Sequence, residues 1–268
     1  TAGRTTLNGE GLQHEDGHSP LLASTNPAVV AYDPAFAYEL GHIVKDGLRR
    51  MYGENSENVY YYLTVYNEPY VQPAEPAGVD AEGILRGMYL LAPDTDPKGP
   101  RTQLLASGVS VPWALEAQAL LRNDWGVSAD VWSVTSWNEL RRDGLAVDRH
   151  NFLNPSATPQ TSWISEKLTG TEGPVVAVSD FMRAVQDQIR DWVPNDFVSL
   201  GTDGWGMSDT RGALRRHFLV DAQSITVQAL AMLAKRGEIP AERVQEAIDR
   251  YDLTNPKAAS AGNTEGGG

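Results

Sequence analysis

Gly9-Glu-Gly-Leu-Gln-His-Glu-Asp-Gly-His18 gathers two histidines, three acids and three glycines into one short run. Proton handling needs a group that titrates near neutrality beside carboxylates that orient it, and histidine supplies that with little help from its surroundings. Glycines let a backbone approach a ligand closely. A polar turn carrying two surface histidines fits the same residues, so composition leaves both readings open. His14 and His18 stand at i, i+4, a spacing that makes adjacent metal ligands only on a helix, and the flanking glycines argue against one.

Gly201-Thr-Asp-Gly-Trp-Gly-Met-Ser-Asp209 is the second cluster. Its glycines follow a short apolar run and suit a tight turn, but their spacing differs from the G-x-G-x-x-G that cradles a dinucleotide. Asp209 reads as the N-cap of a helix beginning near Thr210. Neither a G-x-S-x-G nucleophile elbow nor a phosphate-binding G-x-x-x-x-G-K-[ST] loop occurs, which removes the serine hydrolase and P-loop readings. His42 falls within a helical pattern and reads as structural, His150 and His217 as surface or interface. The seven tryptophans, from Trp113 to Trp205, are spread along the region of alternating strands and helices, which suits packing rather than base stacking.

These clusters need elements to hold them. Asp33-Pro34 followed by Phe36, Leu40, Ile43, Val44, Leu48 and Met51 predicts an amphipathic helix capped by Asp33, with Gly53 past its end. Asn58–Val65, nearly continuous in apolar residues, predicts a strand of a parallel sheet covered on both faces. Pro69, Pro73, Pro76 and Gly78 then interrupt regular structure, placing a domain boundary near 75. Beyond it strand-like runs (Thr102–Gly108, Ala129–Thr135, Pro174–Val178, Phe197–Leu200) alternate with helical ones (Trp113–Leu121, a short turn around Glu139-Leu140, Phe181–Trp192, Gly212–Phe218, Ala222–Lys235). A final helix is expected over Ala241–Tyr251. Such alternation implies right-handed crossovers and a mostly parallel sheet. Ligands of open α/β sheets sit at strand carboxyl ends, which singles out Ser107-Gly108, Thr135-Ser136, Ser179-Asp180 and Gly201–Gly206.

The 268 residues give a prior of about two domains. With 22 Lys+Arg against 35 Asp+Glu, the net charge of −13 would be repelled by phosphate backbones, and basic residues cluster only in pairs such as Arg141-Arg142 and Arg215-Arg216. Nucleic acid is therefore not an expected partner. Cysteine is absent, excluding disulfides, thiolate metal sites and a cysteine nucleophile. No apolar run is long enough to span a bilayer, and no signal-peptide pattern opens the chain, so a cytoplasmic protein without membrane attachment is expected.

Several long blocks, in order, resemble the homodimeric bacterial pyruvate dehydrogenase E1 component. They are Arg4–Ser19, Tyr32–Glu39, Asp46–Gly53, Asn58–Tyr62, Thr135–Leu140 with Asp143-Gly144, and Gly201–Gly206. This family belongs to the transketolase-like thiamine diphosphate enzymes. The resemblance implies an α/β fold in which residues 1–75 are the end of a pyrimidine-binding domain and 76–256 a transketolase-type C-terminal domain, followed by a flexible tail over 257–268. The chain then corresponds to the last third of a subunit. It implies a homodimer in which thiamine diphosphate adds to pyruvate, carbon dioxide leaves, and the remaining two-carbon unit is passed to the lipoyl group of an E2 partner. His14 is implied to contact the substrate adduct and donate a proton, with Asp16 and His18 as neighbouring site residues. The family's G-D-G…N motif for Mg²⁺ and the diphosphate is not found, since Thr202-Asp-Gly204 is a different loop, and the activating glutamate is also missing. The cofactor and Mg²⁺ are accordingly expected on other segments, and this chain alone is expected to be inactive. Met207 and Leu219 depart from the polar or charged residues of the family. The alternatives are another transketolase-like enzyme, acting on 2-oxoglutarate or sugar phosphates, or a non-catalytic dimerisation and docking module.

Overall fold

A computed structural model describes residues 3–6, 14–205, 207–255 and 257. Gly9–Gln13 of the first cluster, Gly206 of the second, and the expected tail apart from Lys257 lie outside the described residues. The N-terminal part runs through α1 (Ser19–Ala23), β1 (Val29–Tyr32), α2 (Ala37–Tyr52) and β2 (Tyr60–Leu63). β1 and β2 pair in parallel, Val29 opposite Tyr60 and Tyr32 opposite Leu63. β1 is buried throughout, whereas β2 is only half-buried and Tyr60 is exposed. Coverage of both faces of β2, expected from its apolar run, is thus not found. Tyrosine permits this because its ring packs while its hydroxyl meets polar partners: Tyr61 donates to Asp46 at 2.8 Å.

α2 begins at Ala37, later than the Asp33-Pro34 start expected. Asp33 does not cap it, because its carboxylate is taken by hydroxyls from elsewhere in the fold. Glu39 serves instead, reaching back to accept from the amides of Ala35 at 2.6 Å and Phe36 at 3.0 Å, donors that a helix start leaves unpaired. Residues 64–80, with their prolines, carry neither helix nor strand.

The rest of the chain is α3 (Ala81–Arg86), β3 (Tyr89–Ala92), β4 (Arg101–Ala106), α4 (Ser110–Leu120), β5 (Ser128–Ser133), α5 (Trp137–Leu153), α6 (Trp163–Leu168), β6 (Val175–Val178), α7 (Arg183–Asp187), β7 (Phe197–Leu200), α8 (Arg211–His217), α9 (Ala222–Lys235) and α10 (Glu242–Arg250). Strands β3 to β7 form one sheet in the order β3-β5-β4-β6-β7, parallel except for the antiparallel edge strand β3. The expected mostly parallel α/β architecture is present. One face packs on α4 and α9 through Leu104, Val131, Ala117 and Leu230. The other packs on α5, α6 and α7 through Leu105, Trp132, Ile164 and Val185.

Three local expectations are corrected. The short turn around Glu139-Leu140 is a helix of 17 residues, started by Ser136, whose hydroxyl accepts from Glu139 N at 3.0 Å. The single helix expected over Phe181–Trp192 is instead α7 followed by a separate 3-10 turn at Arg190–Trp192. The cap of α8 is Thr210, and Asp209 accepts from the Thr210 amide at 2.7 Å. Arg215 and Arg216, one of the basic pairs, are both buried, on Glu68 and Asp221 respectively.

Leu219 has φ +56° just after α8 and is 44% exposed. A left-handed backbone costs an L-residue with a bulky side chain about 1–2 kcal/mol, and Asn tolerates it better. Leu219→Asn is expected to raise stability by roughly 0.5–1 kcal/mol in urea titrations, with unchanged slope.

Candidate functional site at the strand carboxyl ends

The strand order reverses direction between β4 and β6, so the crevice beyond their carboxyl ends is where an open sheet would take a ligand. Here the chain's own N-terminal part fills it. Asp33, at the end of β1, accepts from Ser107 Oγ at 2.6 Å, Thr64 Oγ1 at 2.5 Å and the Tyr66 hydroxyl. Its amide donates to Thr135 O at 2.7 Å and its carbonyl accepts from Gly108 N at 3.0 Å. Burial raises the Asp33 pKa, and the three hydroxyl donors oppose that rise. Glu39 is fully buried and accepts from Tyr89 at 2.7 Å and Ser133 at 2.6 Å, both on the five-stranded sheet.

Asp180, just past β6, mirrors this arrangement. It is buried, and accepts from Thr5 N at 3.1 Å and Thr5 Oγ1 at 2.7 Å. Its carbonyl accepts from Arg4 N at 3.2 Å. Gly3 passes so close to this carboxylate, at φ +84°, that a Cβ would lie 2.1 Å from Oδ2. Behind Thr5 sits Arg215, which is paired with Glu68 and lies 4.5 Å from the ring centre of Trp113. Desolvation pushes the Asp180 carboxyl up to about 7, opposed by Thr5 and Arg215.

The three candidate site residues share one loop. Gly3 bridges Asp16 in antiparallel fashion, and Met182 N donates to Gly17 O at 2.8 Å, so the loop is tied both to the Gly3 segment and to the segment after β6. Asp16 Oδ1 accepts from His18 N at 3.0 Å and Ser19 N at 2.9 Å, which commits that oxygen to shaping the loop and starting α1. His14 and His18 are exposed. Glu15 between them is buried, and its carboxyl is raised by that burial, with Arg4 opposing. The geometry therefore presents two imidazoles on a backbone fixed from behind.

The second cluster meets the first. Arg4 Nη1 donates to the carbonyls of Thr202 and Gly204. Asp203 is held by Arg183, through N at 2.9 Å and Nε at 2.5 Å. Trp205 is 83% exposed, unlike the packing role expected for the tryptophans as a group. No group of three His, Asp or Glu able to hold a metal occurs among the described residues. Sequence reasoning pointed to Ser107 and Asp180 as strand-end positions but missed Arg4, Asp33 and Glu39. Their signal, a charged residue beside an apolar run, is too common to single out.

A family model for the pyruvate dehydrogenase E1 component middle domain matches residues 1–73, and one for the transketolase-like C-terminal domain matches residues 87–221. The chain is 55% identical, over its whole length, to the pyruvate dehydrogenase E1 component of Mycolicibacterium smegmatis, and 54% identical to that of Mycobacterium tuberculosis. The chain belongs to the pyruvate dehydrogenase E1 family. It spans 29% of the length of either relative. A transketolase from Pichia stipitis shares the fold, with a TM-score of 0.60 and 14% identity over 87% of this chain and 29% of that one. This E1-family chain thus has the transketolase-like fold that the sequence blocks implied.

The raised Asp180 pKa has a signed consequence. The folded form holds its proton to higher pH than the unfolded form, so the stability it contributes is present at acid pH and is lost as pH rises from about 4 through 7. The stability of the wild type minus that of Asp180→Asn should fall by up to about 1.4 kcal/mol per pH unit over that window and flatten above it. Urea midpoints of both proteins between pH 4.5 and 8.5 check this.

Proposed function

We propose that this chain is the C-terminal portion of a thiamine diphosphate-dependent E1 subunit that decarboxylates pyruvate and transfers the two-carbon product to the lipoyl group of E2. The observation that carries this reading is the identity above 50% over the whole chain to proteins named pyruvate dehydrogenase E1 component. The same reading makes residues 1–75 the end of the pyrimidine-binding domain, 76–256 the C-terminal domain and 257–268 a tail. It makes the protein a cytoplasmic homodimer. Among the described residues no helix is long and apolar enough to cross a membrane.

The donor set tests how the cofactor relates to this chain. Asp203, in the loop that superficially resembles a metal motif, is occupied by Arg183, and no cluster of metal ligands is formed among the described residues. The described residues therefore do not fit the diphosphate or Mg²⁺, and the reading proposed here assigns both to other segments of a longer protein. What this chain supplies is the His14 loop. Thiamine diphosphate, when bound, provides the electron sink for decarboxylation. On this reading His14, exposed on its anchored loop, donates a hydrogen bond to the substrate's 2-oxo oxygen and holds the proton that this oxygen needs. Asp16 holds the backbone that carries the imidazoles, accepting from the amide of His18 on the same loop.

In the complete enzyme His14→Ala is expected to lower kcat on pyruvate by about 10²–10⁴-fold while thiamine diphosphate affinity changes by less than about threefold. Turnover assays on pyruvate, 2-oxoglutarate and sugar phosphates, together with cofactor titration, provide the check. Unchanged turnover removes His14 from the reaction, and preference for another substrate reassigns the enzyme.

A further inference from the structure

We propose that Arg4 is a positioning residue that clips the Thr202–Trp205 loop to the His14 loop, so that one wall of the site is set by a guanidinium rather than by continuous backbone. Its function in turnover rests on the reading of His14 above. The two glycine-rich clusters are nearly 190 residues apart in the chain, and neither is part of a strand that would hold it. Arg4 touches both. Its Nη1 spans the carbonyls of Thr202 and Gly204, while Gly17 lies against the other edge of the guanidinium, where an added Cβ would be 2.0 Å from Nε and 2.4 Å from Cζ. Its backbone amide is fixed on Asp180 O at 3.2 Å.

Burying an arginine is costly unless its charge is answered. Arg4 is 6% exposed, and the desolvation that lowers its pKa is opposed by Asp16, Asp203, Glu15 and Asp180, drawn from three separate segments. Two of these acids lie on the His14 loop and one on the Thr202–Trp205 loop. Moving either loop away would strip the guanidinium of carboxylates or of carbonyl acceptors, leaving a buried charge uncompensated. The two loops are thus held together by the cost of separating them. Lysine offers one compact ammonium in place of a planar fork, so it cannot reproduce the two carbonyl contacts while stacked under Gly17.

The test uses the full-length enzyme with Arg4→Gln, Arg4→Lys and Gly17→Ala. The last keeps the arginine and its charge but fills the space it occupies. Arg4→Gln and Gly17→Ala are each expected to speed amide exchange in the 202–205 segment at least tenfold and to lower kcat on pyruvate at least tenfold. Thiamine diphosphate affinity should stay within threefold and exchange in the sheet strands should be unchanged. Arg4→Lys should recover only part of both losses. Unchanged exchange in 202–205, or faster exchange with full turnover, overturns the proposal. A general rise of exchange in every strand would mark Arg4 as merely structural and overturn it equally. If Arg4→Gln does not fold, Gly17→Ala decides. His14→Ala run in parallel separates the two readings: full turnover there defeats the assignment of His14, while the exchange result still decides whether Arg4 clips the loops.

Discussion

Three carboxylates with almost no access to water govern how this chain is assembled. Asp33, Glu39 and Asp180 each occupy a position from which an unpaired charge would be expelled, so each must be met by donors from across the fold. Asp33 and Glu39 belong to the N-terminal part and are met by Ser107, just past β4, and by Tyr89 and Ser133 of the five-stranded sheet. Asp180 lies just past β6 of that sheet and is met by Thr5. The demand runs in both directions across one seam, which is why the crevice beyond β4 and β6 contains polar side chains of the protein itself. Hydrophobic contact alone would join the two parts without fixing their register, whereas short hydrogen bonds to buried acids admit one register.

The consequence for the site is indirect but physical. The loop carrying His14, Asp16 and His18 has little regular structure of its own, and its position follows from the Gly3–Asp16 bridge, the Met182–Gly17 bond and the anchoring of Thr5 on Asp180. His14 and His18 are exposed while the backbone that carries them is held from behind. The chain spans 29% of the length of its relatives from Mycolicibacterium smegmatis and Mycobacterium tuberculosis.

Much of this was legible in the residues. Strands β4 to β7 and helices α4, α9 and α10 follow directly from apolar runs and helical spacing, and the alternation of the two implied the parallel sheet. Strand β1 was not read, because Val29–Tyr32 is too short to separate from a buried helical turn by periodicity. The antiparallel β3 was missed for the same reason, and because an edge strand breaks the alternation. Asp33 was read as a helix cap, the ordinary role for an aspartate before a proline, since nothing local reveals that Ser107, 74 residues away, will claim its carboxylate. The His14 loop was visible as a cluster of titratable groups, but Arg4, which joins it to the Thr202–Trp205 loop, was not. A pairing between distant segments leaves no trace in local spacing.

The claim that buried acids set the register between the two parts is most directly tested by a double-mutant cycle on Asp33 and Ser107, 2.6 Å apart across the seam. Urea unfolding of Asp33→Asn, Ser107→Ala and the double variant gives the coupling between them. A coupling of about 1.5–3 kcal/mol, as for a buried hydrogen bond to a charged group, is the result expected here. Strictly additive losses would contradict the account, because the seam would then be held by packing alone.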